Sequence, residues 1–399
     1  MFYLISPSGT PVSMSDLIRT VFWRARPARG RELLCAQVQK LSRTKYCFPV
    51  NSGRCAQTLI LQALKNKTPG IKDEIIVPAY TCYSVPASIV RAGLKVRPVD
   101  INPTTMDYDY DRLRRTDFTR VLALTAANLF GLVSNWTELE VLAAKHGFYL
   151  VDDAAQALGS LFDQRPAGSF GAAGFYSLDR GKNLSTYAGG ILISDDDNLA
   201  KEITVLHERL EMPSAASEIT VLIKMFLYAL LLRPRLYWLP NALPFLGLGE
   251  TVYDENFAMS KLSRLQTGAG AVMFPRLDRL NEIRRENACR LAEAISKDGR
   301  YIIPGYTTDS CPVYLRLPVL AENKSVRDKL IQKLIDNGIK ASTMYPDLIC
   351  RIPEIEPHLV TDDDLYPGAT QVVEKLLTLP THYYMRPRDI ETVINCLVK

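Results

Sequence analysis

The sequence predicts an α/β fold, with a large, mostly parallel sheet sandwiched by helices and joined to a smaller C-terminal α+β domain. Three observations predict it. Short apolar runs alternate with helix-patterned segments between residues 46 and 205, the order that builds parallel strands with helices on both faces. Several runs stop at carboxylates, serines or glycines, and ligands collect at such strand ends. Beyond residue 253 the chain changes to longer helices with a few isolated strands. At 399 residues it exceeds what one compact core holds. We expect an N-terminal arm with helices over 1–45, a large domain over 46–252 with an apolar insert at 206–252, and a small domain over 253–399.

Taken in order, Met14 to Trp23 has apolar positions at helical spacing, and four arginines follow between Arg24 and Arg31. We read that basic stretch as a surface arm, with a helix from Glu32 to Leu41 after it. Tyr46–Val50 reads as a strand ending at Asn51-Ser52-Gly53-Arg54-Cys55-Ala56, where a helix begins and runs through Leu64. A Ser-Gly turn at a helix start presents free backbone N–H groups and the positive end of the dipole, so it can hold a phosphate. Glu74–Pro78 is a short strand, and the next helix is expected to begin over Ala79–Ser84. Strands follow at Lys95–Asp100 and Val121–Thr125, then a helix at Trp136–His146.

The stretch from Val151 to Gly190 carries the chemistry. The apolar run Phe148–Val151 stops at Asp152-Asp153-Ala154-Ala155-Gln156-Ala157, as a buried strand delivering a carboxylate to its C-terminal end would. A second run, Gly174–Leu178, leads to Asp179-Arg180-Gly181-Lys182-Asn183-Leu184, and Gly189-Gly190 opens a third, Ile191–Ser194. An acid at one strand end and a lysine 29 positions later suit pyridoxal phosphate chemistry. The lysine anchors the cofactor, and the carboxylate keeps its pyridine nitrogen protonated so that the ring accepts electrons. Taken singly, the acid pair also reads as a helix cap and the lysine as a solvated charge.

Together these motifs, with Ser177 five positions before Lys182, resemble the DegT/StrS family of pyridoxal-phosphate-dependent sugar aminotransferases, which have the aspartate aminotransferase fold type I. The resemblance covers residues 46–205 and 253–399. It implies that Lys182 and Asp153 are catalytic. It also implies that Ser52, Gly53, Arg54 and Ser177 hold the phosphate and that Gln156 meets the ring hydroxyl. Asp152, on the opposite strand face, is set aside. The chain departs from the pattern at four residues: Arg54-Cys55 replaces Thr-Ala after Ser-Gly, Cys82 stands where relatives stack an aromatic ring on the cofactor, and Ala258 replaces an Arg. Tyr80 or Tyr83 could supply that ring, or each could simply be packed. Asn256-Phe257-Ala258-Met259-Ser260 matches the passage in which an Asn reaches the neighbouring subunit's phosphate, so Asn256 implies a homodimer with shared sites.

Between Leu206 and Val252 the likeness stops. Met225–Leu232 is an apolar run with Lys224, Arg233 and Arg235 at its ends and Tyr237-Trp238 beside it. This composition fits a hairpin over the active-site mouth or at a dimer interface; it also fits an element lying in a membrane interface, with peripheral contact through 219–247. Farther on, Arg276, Arg279, Arg284 and Arg285 read as a solvated helix face. The small domain is expected to hold a strand at Val313–Leu317, a helix at Val326–Asn337, Tyr345-Pro346 against the sugar site, and a last helix at Pro387–Leu397.

Composition narrows the remaining classes. A hydrophobic content of 47% and a charged content of 23% are those of a globular protein. The net charge of +5 is too dilute to argue for nucleic acid, and none is expected as a partner. Eight cysteines without C-x-x-C spacing read as reduced, mostly buried thiols in a cytoplasmic protein. The four histidines lack ligand spacing, and no metal is expected. The N-terminus lacks the pattern of a secretion signal. The resemblance thus implies amino transfer, from glutamate in such relatives, to a nucleotide-linked keto sugar for surface polysaccharide or glycoconjugate synthesis. Two alternatives are a sugar dehydratase, which Lys182 disfavours, and a degenerate, membrane-associated scaffold.

Overall fold

The computed structural model describes residues 3–243, 251–297, 299–305, 309–361 and 365–398. Its centre is a seven-stranded sheet of β1 (Tyr46–Val50), β2 (Glu74–Pro78), β3 (Lys95–Val99), β4 (Val121–Ala127), β5 (Tyr149–Asp153), β6 (Ala173–Ser177) and β7 (Gly190–Ser194). The spatial order is β1-β7-β6-β5-β4-β2-β3. Strands β6, β5, β4, β2 and β3 pair in parallel, while β7 runs antiparallel to both β1 and β6. The predicted α/β class and largely parallel sheet are therefore what the chain adopts.

Both faces of the sheet are covered, and the two-residue side-chain period assigns each residue its face. Ile76, Leu124, Leu150, Ile191 and Ile193 enter one core with helices α1 (Met14–Arg24) and α2 (Pro27–Ser42). Their neighbours Ile75, Val77, Val151 and Leu192 enter the other with α3 (Gly53–Lys67), whose Leu59, Ile60 and Leu64 are fully buried there. Each such side chain contributes about 1.5–3 kcal/mol over leaving it in water. A third core joins Ile5, Tyr80 and Phe130 to the small domain. There Leu317–Leu320 and Leu376–Leu379 form an antiparallel pair.

Several expectations need correction. The basic stretch after α1 is not an extended arm, because Pro27 occupies the first turn of α2 and its fixed φ suits a helix start. The helix expected over Ala79–Ser84 begins only at Ser84. No strand forms at Val313–Arg316. Tyr314 takes φ 46°, and the backbone N–H groups of Val313 and Leu315 donate instead to Ser160 Oγ and Phe130 O. The expected solvated arginine face holds only at Arg279. Arg284 is 1% exposed and donates to Thr10 Oγ1 and Asn281 Oδ1, Arg276 pairs with Asp16 at 2.7 Å, and Arg285 binds the carbonyls of Gly159 and Pro312. The thiols are not mostly buried: Cys55 and Cys396 are, Cys289 and Cys311 are exposed, and the other four are half-buried.

The insert folds as helix α4 (Ala215–Leu231) and a short turn of helix at Trp238–Asn241. It covers one side of a large cavity at the sheet's C-terminal edge, the arrangement expected of a hairpin over the site. No helix among the described residues is long and apolar enough to cross a membrane.

Candidate functional site

A cavity of about 1340 Å³ opens where the C-terminal ends of β1, β2, β4, β5 and β6 converge. Parallel strands create such a crevice because the loops leaving adjacent strands diverge above and below the sheet. Ser52, Gly53, Arg54, Cys82, Asp153, Gln156, Ser177 and Lys182 all line it. Asn256 does not: within one chain it is exposed, on a segment whose Asp254, Phe257 and Ala258 reach the cavity instead.

The carboxylate is positioned by strand alternation. Asp153 ends β5, faces the cavity and accepts the N–H of Ala155 at 3.0 Å. Burial raises its pKa to about 6, against the opposing pulls of the Ala155 hydrogen bond and the Lys182 charge. Asp152 points the other way, fully buried, and accepts from Asn128 Nδ2 at 2.6 Å and from Phe170 N. Its role is to hold the returning loop, and burial raises its pKa to about 7.

Lys182 lies in the loop between β6 and β7, and among the described residues its ammonium makes no hydrogen bond or ion pair. The loop itself is clamped. Thr10 Oγ1 donates to the Lys182 carbonyl at 2.5 Å and itself accepts from buried Arg284 at 2.9 Å. Asn183 Nδ2 donates to Asn281 Oδ1 at 3.0 Å. Gly181 has φ +75°, and a Cβ there would lie 2.4 Å from Ser8 Oγ. Thus the N-terminal segment and the helix Leu277–Ser296 fix the backbone while leaving the amine uncommitted. Arg284, lacking a carboxylate partner, has its pKa lowered to about 10 by burial.

The α3 N-terminus meets the β6 and β7 ends beside these groups. Ser52 caps α3, its Oγ accepting from Cys55 N at 3.1 Å, and Gly53 packs against Ser177. Gly190 lets β7 approach this turn: a Cβ there would come within 2.3 Å of Ser52 O and 2.7 Å of Gly53 N, both backbone atoms that cannot swing aside. We expect Gly190→Ala to push the turn apart and cost about 1–3 kcal/mol. It should also weaken phosphate-cofactor binding at least about tenfold, measured by thermal denaturation and cofactor titration.

The donor set suits pyridoxal phosphate. Free N–H groups at the start of a 15-residue helix and the hydroxyls of Ser52 and Ser177 fit its phosphate, Lys182 its aldehyde, and Asp153 its ring nitrogen. Thr81 Oγ1, fully buried in the cavity wall, has no hydrogen-bond partner and could serve a bound ligand. The fold adds three details. Arg54 is drawn to Asp254, 3.5 Å away, and stacks its guanidinium 4.8 Å from the Phe257 ring, so its charge is shared. Gln156 is already engaged, donating to the Tyr345 hydroxyl at 2.9 Å and accepting from Phe130 N. Neither Tyr80 nor Tyr83 lines the cavity; Tyr80 lies beneath it, its hydroxyl donating to Thr343 O and its ring 5.4 Å from that of Tyr345.

Sequence reading missed a second cationic group. Arg316 and Lys340 line the cavity, and neither forms an ion pair among the described residues. Arg316 donates to Ser8 Oγ at 3.0 Å and has a buried Nε without a partner, and burial lowers its pKa. The pKa of Lys340 is lowered by burial and by Arg316, and its ammonium binds Asn241 Oδ1. The available signal was a lone charge inside the apolar run Val313–Leu317, which folding buries only with a partner or beside a ligand site. Among the described residues, no group of three His, Cys, Asp or Glu side chains could hold a metal ion.

Comparison with known proteins shows what the chain is similar to. The model of the DegT/DnrJ/EryC1/StrS aminotransferase family matches residues 29–222 and 241–398, leaving 223–240 of the insert outside. The Pleiotropic regulatory protein of Geobacillus stearothermophilus is 28% identical over 374 residues, 90% of this chain and 86% of that protein. GDP-perosamine synthase of Caulobacter vibrioides is 25% identical, covering 88% and 85%. The PLP form of Spr1654 from Streptococcus pneumoniae has the same fold, with a TM-score of 0.78 at 20% identity over 99% of this chain and 98% of that one.

Proposed function

The chain belongs to the DegT/DnrJ/EryC1/StrS aminotransferase family, and from that premise we propose that it moves an amino group from an amino acid, glutamate being the expected donor, to a nucleotide-linked keto sugar. The product would serve polysaccharide or glycoconjugate synthesis. One observation carries the reading: the uncommitted Lys182 amine and the buried Asp153 carboxyl line one cavity, beside a helix N-terminus fit for a phosphate.

When bound, pyridoxal phosphate supplies an electron sink for the pair left behind as a substrate carbon loses its proton. Lys182 Nζ would anchor the cofactor, and its amine would take the proton from the substrate carbon and return it. A positioned base of this kind contributes about 10²–10⁴ in rate. Asp153 holds the proton at the pyridine nitrogen. The α3 N-terminus, Ser52 and Ser177 bind the phosphate and fix the ring's position. Gln156 and Tyr345, tied to each other, form the wall beside the ring. Asn256 is assigned to the partner subunit's site in a homodimer.

Arg316 and Lys340 suit the donor's carboxylate. A buried guanidinium without a counter-charge is costly, and a bound carboxylate relieves that cost. Arg316→Met should therefore raise KM for the amino-acid donor at least about tenfold while leaving KM for the sugar nearly unchanged, measured by separate substrate titrations. Equal rises in both would remove this assignment.

The reading is tested by incubating the cofactor-loaded protein with ¹⁵N-glutamate and a panel of nucleotide-linked keto sugars, then weighing the sugars. Label in an amino sugar supports it. A protein that takes up the cofactor yet passes no label from any amino acid is not an aminotransferase. One that stays colourless with the cofactor fits the scaffold reading, to which the name of the Geobacillus relative and Cys82 lend support.

A further inference from the structure

The most exposed apolar surface lies behind the wall of the cavity. Helices α1 and α4 run antiparallel: Arg24, at the end of α1, pairs with Glu218 at the start of α4, and Gly9 and Thr10, ahead of α1, touch Leu232 and Tyr228 at the end of α4. On α1, Leu17 and Thr20 turn inward, while Met14, Ile18, Val21 and Phe22 form a second apolar stripe that faces solvent. On α4, Met225 and Ala229 are buried, and Ile219, Ile223 and Phe226 repeat the same spacing outward. Ile18 is 60% exposed, Phe22 72%, Ile219 57% and Ile223 55%, on two adjacent helices. Scattered single residues need no account, but paired stripes of this kind mark a contact surface.

Charge selects the partner. Arg19, Arg26, Arg29 and Arg31 stand exposed along α1 and the start of α2, and Arg233 and Arg235 stand exposed just beyond α4. Glu32 is exposed beside Arg31, while the acids on α1 and α4, Asp16 and Glu218, are buried and paired with arginines. The surface thus combines apolar stripes with a net positive charge at both ends of the helix pair. A two-fold contact with a second copy would bring two net positive patches together. An anionic lipid surface would neutralise them and take up the apolar stripes, the combination by which amphipathic helices lie in a bilayer interface.

We propose that the outer face of the α1–α4 pair docks on an anionic lipid bilayer. The placement has a consequence for the cavity. The inner side of α4 supplies Lys224, Tyr228 and Leu231 to its wall, and Leu227 both lines the cavity and is 44% exposed. Docking therefore sets the part of the cavity wall built by α4 beside the lipid headgroups.

The test uses the full-length, cofactor-loaded protein and sedimentation with vesicles, either an equal mixture of phosphatidylglycerol and phosphatidylcholine or phosphatidylcholine alone. The wild type should sediment with the mixed vesicles and bind neutral ones, or mixed ones in high salt, at least about tenfold more weakly. The double variants Ile18→Glu/Phe22→Glu and Ile219→Glu/Ile223→Glu should each weaken binding at least about tenfold, with melting temperature and cofactor absorbance unchanged. The change is on exposed faces, so folding is expected to survive. Wild-type protein that stays in the supernatant overturns the proposal, as does undiminished binding by both variants. If the wild type ignores vesicles and the variants instead shrink its assembly in sedimentation velocity, the face belongs to a second copy and the proposal fails.

Discussion

Lys182→Ala should reduce amino transfer by at least about 10⁴-fold, the largest effect expected of any single change. The substitution removes the anchoring amine and the proton carrier together, and no other lysine is placed to replace it at the foot of the cavity. Lys224 and Lys340 line the same space, but Lys224 lies 5.8 Å from the Tyr187 ring and Lys340 is tied to Asn241. The variant should still bind the cofactor without a covalent link, because Ser52, Ser177 and the α3 N-terminus are untouched. Rapid mixing with glutamate, followed by the absorbance of the cofactor, separates lost chemistry from lost binding.

Asp153→Asn should lower transfer about 10²–10³-fold and at the same time stabilise the cofactor-free protein. These effects have one cause. Burial holds the folded-state pKa of Asp153 near 6, above the 3.8 of an exposed aspartate. A raised carboxyl pKa means that the charged form is disfavoured by folding. That penalty is present in full above about pH 6 and disappears as pH falls towards 3.8. An asparagine, which carries no charge and can still accept from Ala155 N, escapes it. At pH 8 the cofactor-free variant should gain on the order of 2 kcal/mol over wild type, and at pH 4 the difference should vanish. Denaturation at the two pH values checks the sign. A variant less stable than wild type at pH 8 would show that Asp153 is compensated by partners other than a cofactor.

Much of this site could be read along the chain because its parts stand at strand ends. Asp153 and Ser177 close adjacent parallel strands and Ser52 caps the helix after a third, so one topology gathers them. Alternation allowed only one of Asp152 and Asp153 to face the cavity, and the family resemblance pointed to Asp153. What stayed hidden is built from distant segments. Arg284 looked like one more charge on a surface helix, yet it is buried because residues 9 and 10, some 275 positions away, fold over it. Arg316 sat in what read as a strand until Tyr314 turned the backbone and the side chain into the cavity. Gln156 was expected to meet the ring hydroxyl, and only the fold shows Tyr345 as its partner. The insert's apolar residues gave composition without direction, and their two faces became distinct only once α1 lay beside α4. Asn256 lies outside the cavity of the single chain.

The account depends on one amine. Treating the cofactor-loaded protein with borohydride and sequencing its peptides by mass spectrometry should find the reduced pyridoxyl group on Lys182 and none on Lys224 or Lys340. A pyridoxyl group on a different lysine, or none on a protein shown to have taken up the cofactor, would contradict it.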